Sequence, residues 1–156
     1  MGEHSIMQLK AAADQQLNSL AQNFVGKWEL EKSENFDAYL KELGINYFLR
    51  LLSRAIRNTL DISLVNDQWR IKVFSTFKNY EIKFVLDKEF QSKTIDGRPY
   101  KFLFHLDENG KLIEKETKIR DTDKDSVITR WVEGDQLIVL MESGDVNAKR
   151  FYRRIK

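Results

Sequence analysis

Residues 58–86 read NTLDISLVNDQWRIKVFSTFKNYEIKFVL, and apolar residues recur through them at every second position. A period of two places alternate side chains on opposite faces of an extended strand. Candidate strands at 60–65, 69–75 and 80–86 are separated by Asn66-Asp67 and Lys78-Asn79, residue pairs that favour tight turns. The same rhythm continues to the C-terminus, with candidate strands at 90–94, 99–106, 111–119, 127–132, 136–141 and 146–154. Asp96-Gly97, Asn109-Gly110, Glu133-Gly134 and Ser143-Gly144 mark the turns between them. Phe24–Leu30 adds a first strand, which makes ten. Closely spaced strands joined by hairpins predict a mainly β fold, an antiparallel meander that closes on itself.

Two short helical stretches interrupt the strands once. Asn35 stands where an N-cap belongs, Phe36, Tyr39, Leu40 and Leu43 repeat at helical spacing, and Gly44 supplies a stop. A second helix follows, capped by Asn46, with Phe48, Leu51, Leu52, Ala55 and Ile56 on its apolar side. Arg50, Arg54 and Arg57 fall on another face. Residues 1–23 differ in composition, being rich in Ala, Gln and Leu without an aromatic residue. Ala13, Leu17, Leu20 and Phe24 form one helical stripe there. The expected organisation is an N-terminal extension at 1–23, a frayed or loosely docked helix or a disordered segment, and one β domain at 24–156.

Composition narrows the function. The 156 residues carry 26 Lys and Arg against 24 Asp and Glu, a net charge of +2, too little to hold nucleic acid by counterion release alone. With no cysteine, thiolate catalysis, disulfide scaffolds and zinc ribbons are excluded. His4 and His105 lie in unrelated segments, without a third ligand at a useful offset. Asp121-x-Asp123-x-Asp125 resembles the opening of a calcium loop, but Ser126 and Val132 occupy the places of its glycine and glutamate, so a solvated acidic loop is expected. No carboxylate sits in an apolar context that would suit it to acid–base work. The sequence thus points to a non-enzyme without cofactor or metal. Residue 6 is Ile6 where a myristoylation motif wants Ser or Thr, and the start lacks the apolar core of a signal peptide. A cytoplasmic location is expected, with nuclear entry and secretion as alternatives.

The informative residues are arginines within the alternation. Ile128, Arg130 and Val132 share one strand face; Val146, Ala148, Arg150, Tyr152 and Arg154 share another. Period two alone leaves open whether these faces point inward or to solvent. If inward, the guanidinium groups and the Tyr152 hydroxyl suit a carboxylate head group.

From Phe24 to Lys156 the chain resembles the intracellular lipid-binding proteins of the fatty-acid-binding family. Phe24-Val25-Gly26-Lys27-Trp28 is similar to that family's F-x-G-x-W, and Ser33–Gly44 (SENFDAYLKELG) to its S-E-N-F-D-x-Y-[LM]-K-x-[LV]-G. Ser75–Asn79 with Glu81, Ile82 and Phe84, then Glu89-Phe90, Thr94–Arg98 and Arg150-Phe151-Tyr152, resemble its later motifs in order. The resemblance implies a ten-stranded up-and-down barrel with a two-helix lid, carrying long-chain fatty acids or similar anionic lipids without catalysis. It implies a ligand-binding set of Arg130, Arg150 and Tyr152. Tyr39, Asp96 and Arg98 lie where the family lines its cavity, and the lid helices with the turn carrying Phe77 form the portal. Retinoid or bile-acid binding is the near alternative, and a nucleic-acid-binding barrel using Lys149, Arg150, Arg153, Arg154 and Lys156 a distant one. The expected protein is a monomer that binds no nucleic acid, and its lid arginines invite transient contact with anionic membranes.

Three features depart from the family. They are the extension, a long loop at Lys118–Asp125, and Asp87 where a glycine is common, tolerable because Asp accepts left-handed backbone angles. The family's basic nuclear-import cluster is matched at Lys41 and Arg50, while Leu51 replaces its third member.

Overall fold

Each alternating segment is a strand in the computed structural model, which describes residues 2–156. The N-terminal helix α1 (Glu3–Gln22) leads into β1 (Gly26–Glu34), followed by α2 (Phe36–Glu42) and α3 (Tyr47–Ala55). Nine strands complete the chain: β2 (Asn58–Val65), β3 (Gln68–Ser75), β4 (Tyr80–Val85), β5 (Phe90–Lys93), β6 (Pro99–Leu106), β7 (Leu112–Lys118), β8 (Ser126–Glu133), β9 (Gln136–Ser143) and β10 (Val146–Ile155). They form one antiparallel sheet in the order β4-β3-β2-β1-β10-β9-β8-β7-β6-β5. At Asn66-Asp67 both residues have positive φ, 50° and 66°, the two-residue turn that fits the twist of a hairpin. Asp87 also has a positive φ, 63°, and its carboxylate is hydrogen-bonded to His105 Nδ1 at 2.7 Å.

β1 runs four residues past its expected end at Leu30, because a bulge between Leu30 and Lys32 bends it along β10 instead of ending it. That extension brings Ser33 opposite Arg150.

The sheet curls until its edge strands face each other. Among the described residues no ladder joins β4 to β5. Side chains close this seam. Phe84 of β4 stacks on Phe104 of β6 at 3.5 Å between centroids, and the Tyr80 hydroxyl of β4 donates to the Lys93 carbonyl of β5 at 2.7 Å. One end of the barrel is solid. Phe24, Trp28, Trp69 and Phe104 are fully buried there, and Trp28 Nε1 donates to the Phe24 carbonyl. Arg154 lies 4.2 Å over the Trp28 ring and donates to the carbonyls of Asn23 and Val25.

α1 packs on this solid end through its last turn. Ala21 is buried, Leu20 packs against Gly110 in the β6–β7 turn, and Ala13 is exposed despite its place in the expected stripe. Ile6, Met7 and Leu9 are exposed as well.

The opposite end is covered by α2 and α3. Gly44 ends α2 as expected, with φ 83°, its N–H donating to Lys41 and that of Ile45 to Leu40. Asn46 caps α3 by accepting from Leu49 N at 2.9 Å. Asn35 does not cap α2. Its φ is 59°, and its side-chain amide reaches across to donate to the Asn147 carbonyl of β10, so it ties the lid to the wall. The inward side of α3 is Leu49, Leu52 and Ile56, whereas Phe48, Leu51 and Ala55 of the expected apolar side are exposed.

Candidate functional site

Between the solid end and the lid lies a cavity of about 550 Å³. Register explains which charged groups enter it. Arg130 of β8 and Arg150 of β10 both stand opposite Val139 of β9, so the two flank one residue at the same level. Both line the cavity, as does Tyr152, which pairs with Leu30 and Leu137 one step deeper. The ambiguity left by period two is resolved: these faces point inward, and the three residues are brought together.

Their electrostatics differ. Arg130 Nη1 donates to Glu114 Oε1 at 2.9 Å, and both side chains are largely buried, with 12% and 6% exposed. Arg150 Nε donates to the Ser33 hydroxyl at 3.0 Å, and its guanidinium lies 4.0 Å over the Phe36 ring of the lid. Among the described residues no carboxylate pairs with Arg150. A buried cation held by a hydroxyl and an aromatic face keeps most of its donors for a ligand.

Two of the cavity's acids went unread in the sequence. Glu114 and Glu116 line the wall on the inward face of β7, following buried Leu112 at intervals of two. This corrects the expectation that no carboxylate has an apolar setting. Burial, then the neighbouring Glu114 charge, holds the Glu116 carboxyl well above the usual carboxylate range, against the pull of Arg130. The signal was present as Leu112-x-Glu114-x-Glu116. Lys115 and Thr117 on the other face masked it, because both faces read as polar. Glu116 pairs with Ser126 of β8, whose hydroxyl is 2.5 Å from that of Tyr39 in α2. Burial raises the Tyr39 hydroxyl pKa, with Glu116 the next cause.

Arg98 is a strut at the cavity mouth. It donates to Asp96 Oδ2 at 2.7 Å, to the Leu43 carbonyl at the end of α2 at 2.7 Å, and to Asp123 Oδ1 at 3.2 Å. The 118–125 loop is exposed apart from Asp123, which is buried against Arg98, and Asp125 accepts from Lys118 N. No cluster among the described residues could hold a metal ion. Lys124 reaches Glu42 at 2.9 Å, a second tie from this loop to the lid.

Two expected surface patches dissolve. Arg150 and Arg154 turn inward, which breaks the C-terminal basic patch. On the lid, Arg57 lies beyond the end of α3, and Arg50 is held by Asp37 and the Ile45 carbonyl. Arg54, also paired with Asp37, remains exposed beside Phe48 and Leu51.

Comparison with known proteins agrees with this architecture. A chain from Caenorhabditis elegans, fatty acid-binding protein homolog 6, is 45% identical over 135 residues, 86% of this chain and 99% of that one. The apo crystal structure of C. elegans lipid binding protein 8 superposes with a TM-score of 0.83 at 35% identity, covering 86% of this chain and 96% of that one. The Schistosoma mansoni fatty acid binding protein, solved in complex with arachidonic acid, gives 0.81 at 33% identity, covering 87% and 98%. The model of the lipocalin / cytosolic fatty-acid binding protein family matches residues 25–155, and the chain belongs to that family.

Proposed function

We propose that the protein is a non-catalytic carrier that encloses a long-chain fatty acid in its cavity and delivers it within the cell. The observation that carries this reading is the buried Arg150, without a carboxylate partner among the described residues, at the inner end of an apolar chamber. A fatty acid brings the missing anion on a long apolar chain. The carboxylate sits against Arg150 and the Tyr152 hydroxyl. Arg130, at the same level, spends one donor on Glu114 and turns its remaining N–H groups toward the head group. Burial of the chain contributes roughly 0.8 kcal/mol per methylene before ordering costs, so the arginines set orientation more than affinity.

The β domain, 24–156, holds the whole site in this reading, and α1 is an accessory helix at the far end. The carrier acts as a monomer in the cytoplasm. Its outward lid residues Tyr47, Phe48 and Leu51, beside Arg54, make brief contact with anionic membranes during transfer.

Titration with oleic acid, oleyl alcohol, retinoic acid and a bile acid tests the ligand class. Oleic acid should bind tightest, and an equal affinity for oleyl alcohol would refute the head-group assignment. Transfer of a fluorescent fatty acid to vesicles should quicken with vesicle concentration and anionic lipid; a rate independent of both would exclude the membrane contact.

A further inference from the structure

Glu116 is not needed to hold a carboxylate, yet beside Glu114 it presents an acid to a chamber built for an acyl chain. We infer that Glu116, with the Tyr39 hydroxyl, forms a second polar subsite that takes a hydroxyl group carried mid-way along the acyl chain, so that the protein selects hydroxylated fatty acids over plain ones. The inference rests on the fatty-acid reading and adds to it.

Register gives the position. Leu112 on β7 stands opposite Arg130, level with the head-group arginines. Glu116 is four residues nearer the lid on the same face, about 13 Å at roughly 3.3 Å per residue. A hydroxyl beside the carboxylate would miss it, whereas one near the middle of the chain reaches it.

Chemistry gives the partner. Ser126 Oγ donates to the Glu142 carbonyl at 3.2 Å, so Tyr39 is the donor in the Tyr39–Ser126 bond and its oxygen is left to accept. Glu116, directly across from Ser126, offers a second oxygen acceptor, and a proton when it holds one. A ligand hydroxyl both donates and accepts, so it satisfies this pair. A methylene does neither, and leaves an acid facing hydrocarbon. On the facing wall, at the start of β2, Asn58 Oδ1 is buried without a hydrogen-bond partner among the described residues, a further polar atom that an alkyl chain cannot serve.

The experiment compares ricinoleic acid with oleic acid, which differ by one mid-chain hydroxyl, on the full chain and on Glu116→Leu and Glu116→Gln. The unmodified protein should bind ricinoleic acid about tenfold more tightly, the scale of one well-made hydrogen bond to a polar, desolvated partner. Glu116→Leu should erase that preference and leave oleic acid within about threefold, because leucine keeps the volume and removes the acceptor. Glu116→Gln, which both donates and accepts, should retain most of it. Thermal melting of both variants checks that the fold persists. Equal binding of the two acids by the unmodified protein, or a preference that survives Glu116→Leu, would overturn the subsite. If oleic acid itself does not bind, the fatty-acid reading fails and takes the subsite with it.

Discussion

Replacing Arg150 by leucine and Arg130 by leucine should separate two arginines that the fold places side by side. Arg150 stands to lose a hydrogen bond to Ser33, worth about 1 kcal/mol, and a contact with the Phe36 ring, worth about 0.5–2 kcal/mol. Against this, the variant no longer buries a lone cation, so apo stability should change by less than about 1.5 kcal/mol. Oleic acid loses charge-assisted bonds of about 1.5–3 kcal/mol, a drop of roughly 10- to 150-fold, whereas oleyl alcohol should fall less than about threefold. Arg130→Leu acts in the opposite place. It strands Glu114, only 5% exposed, and an unpaired buried charge costs about 3–5 kcal/mol. At this chain length that lowers the melting temperature by roughly 6–20 °C, and Arg130→Leu/Glu114→Leu should recover most of the loss. Displacement of a fluorescent fatty acid and thermal melts read both quantities. If Arg130→Leu melts like the unmodified protein yet loses as much oleic acid affinity as Arg150→Leu, the Arg130–Glu114 pair is no structural bond, and the division of roles is wrong.

Glu116→Gln should stabilise the apo protein increasingly as pH rises. The native carboxyl is held above the unfolded value, so the folded state binds the proton more tightly, and the stability this gives is lost as pH climbs through the raised value; glutamine never ionises. Chemical denaturation from acid to mildly alkaline pH checks it, and a difference independent of pH would contradict the buried setting. Removing residues 1–16 should leave oleic acid affinity within about threefold, because α1 packs through Leu20 and Ala21 on the end away from the cavity; isothermal titration gives the comparison, and a large fall would place the helix over the ligand.

What could be read in the sequence follows from how local each signal is. Asn66-Asp67 announces its own hairpin, and Gly44 its own helix end, because the required backbone angles belong to those residues. Arg130 and Arg150 could be assigned to faces but not to a side, since a strand's alternation is symmetric until its neighbours are known. Their meeting depends on Val139, some ten residues from either. The bulge that carries β1 to Ser33 left no mark in the alternation, and it supplies Arg150 with its hydrogen bond. Asp123 reads as one more solvent-facing acid because its partner, Arg98, comes from the distant turn before β6. Leu49, not Leu51, faces inward on α3, because which side of a short helix meets the cavity is settled by the barrel beneath it.

The seam between β4 and β5 gives this vessel an elastic wall. Around most of the circumference, widening the barrel would mean stretching backbone ladders. Across the seam it means sliding Phe84 over Phe104 and releasing isolated bonds such as Tyr80–Lys93 and Lys78–Ile95, contacts each worth about 1 kcal/mol. Thermal energy samples such steps readily, so the girth of the chamber adjusts to its cargo along one line, while the laddered wall that carries Arg130 and Arg150 holds still.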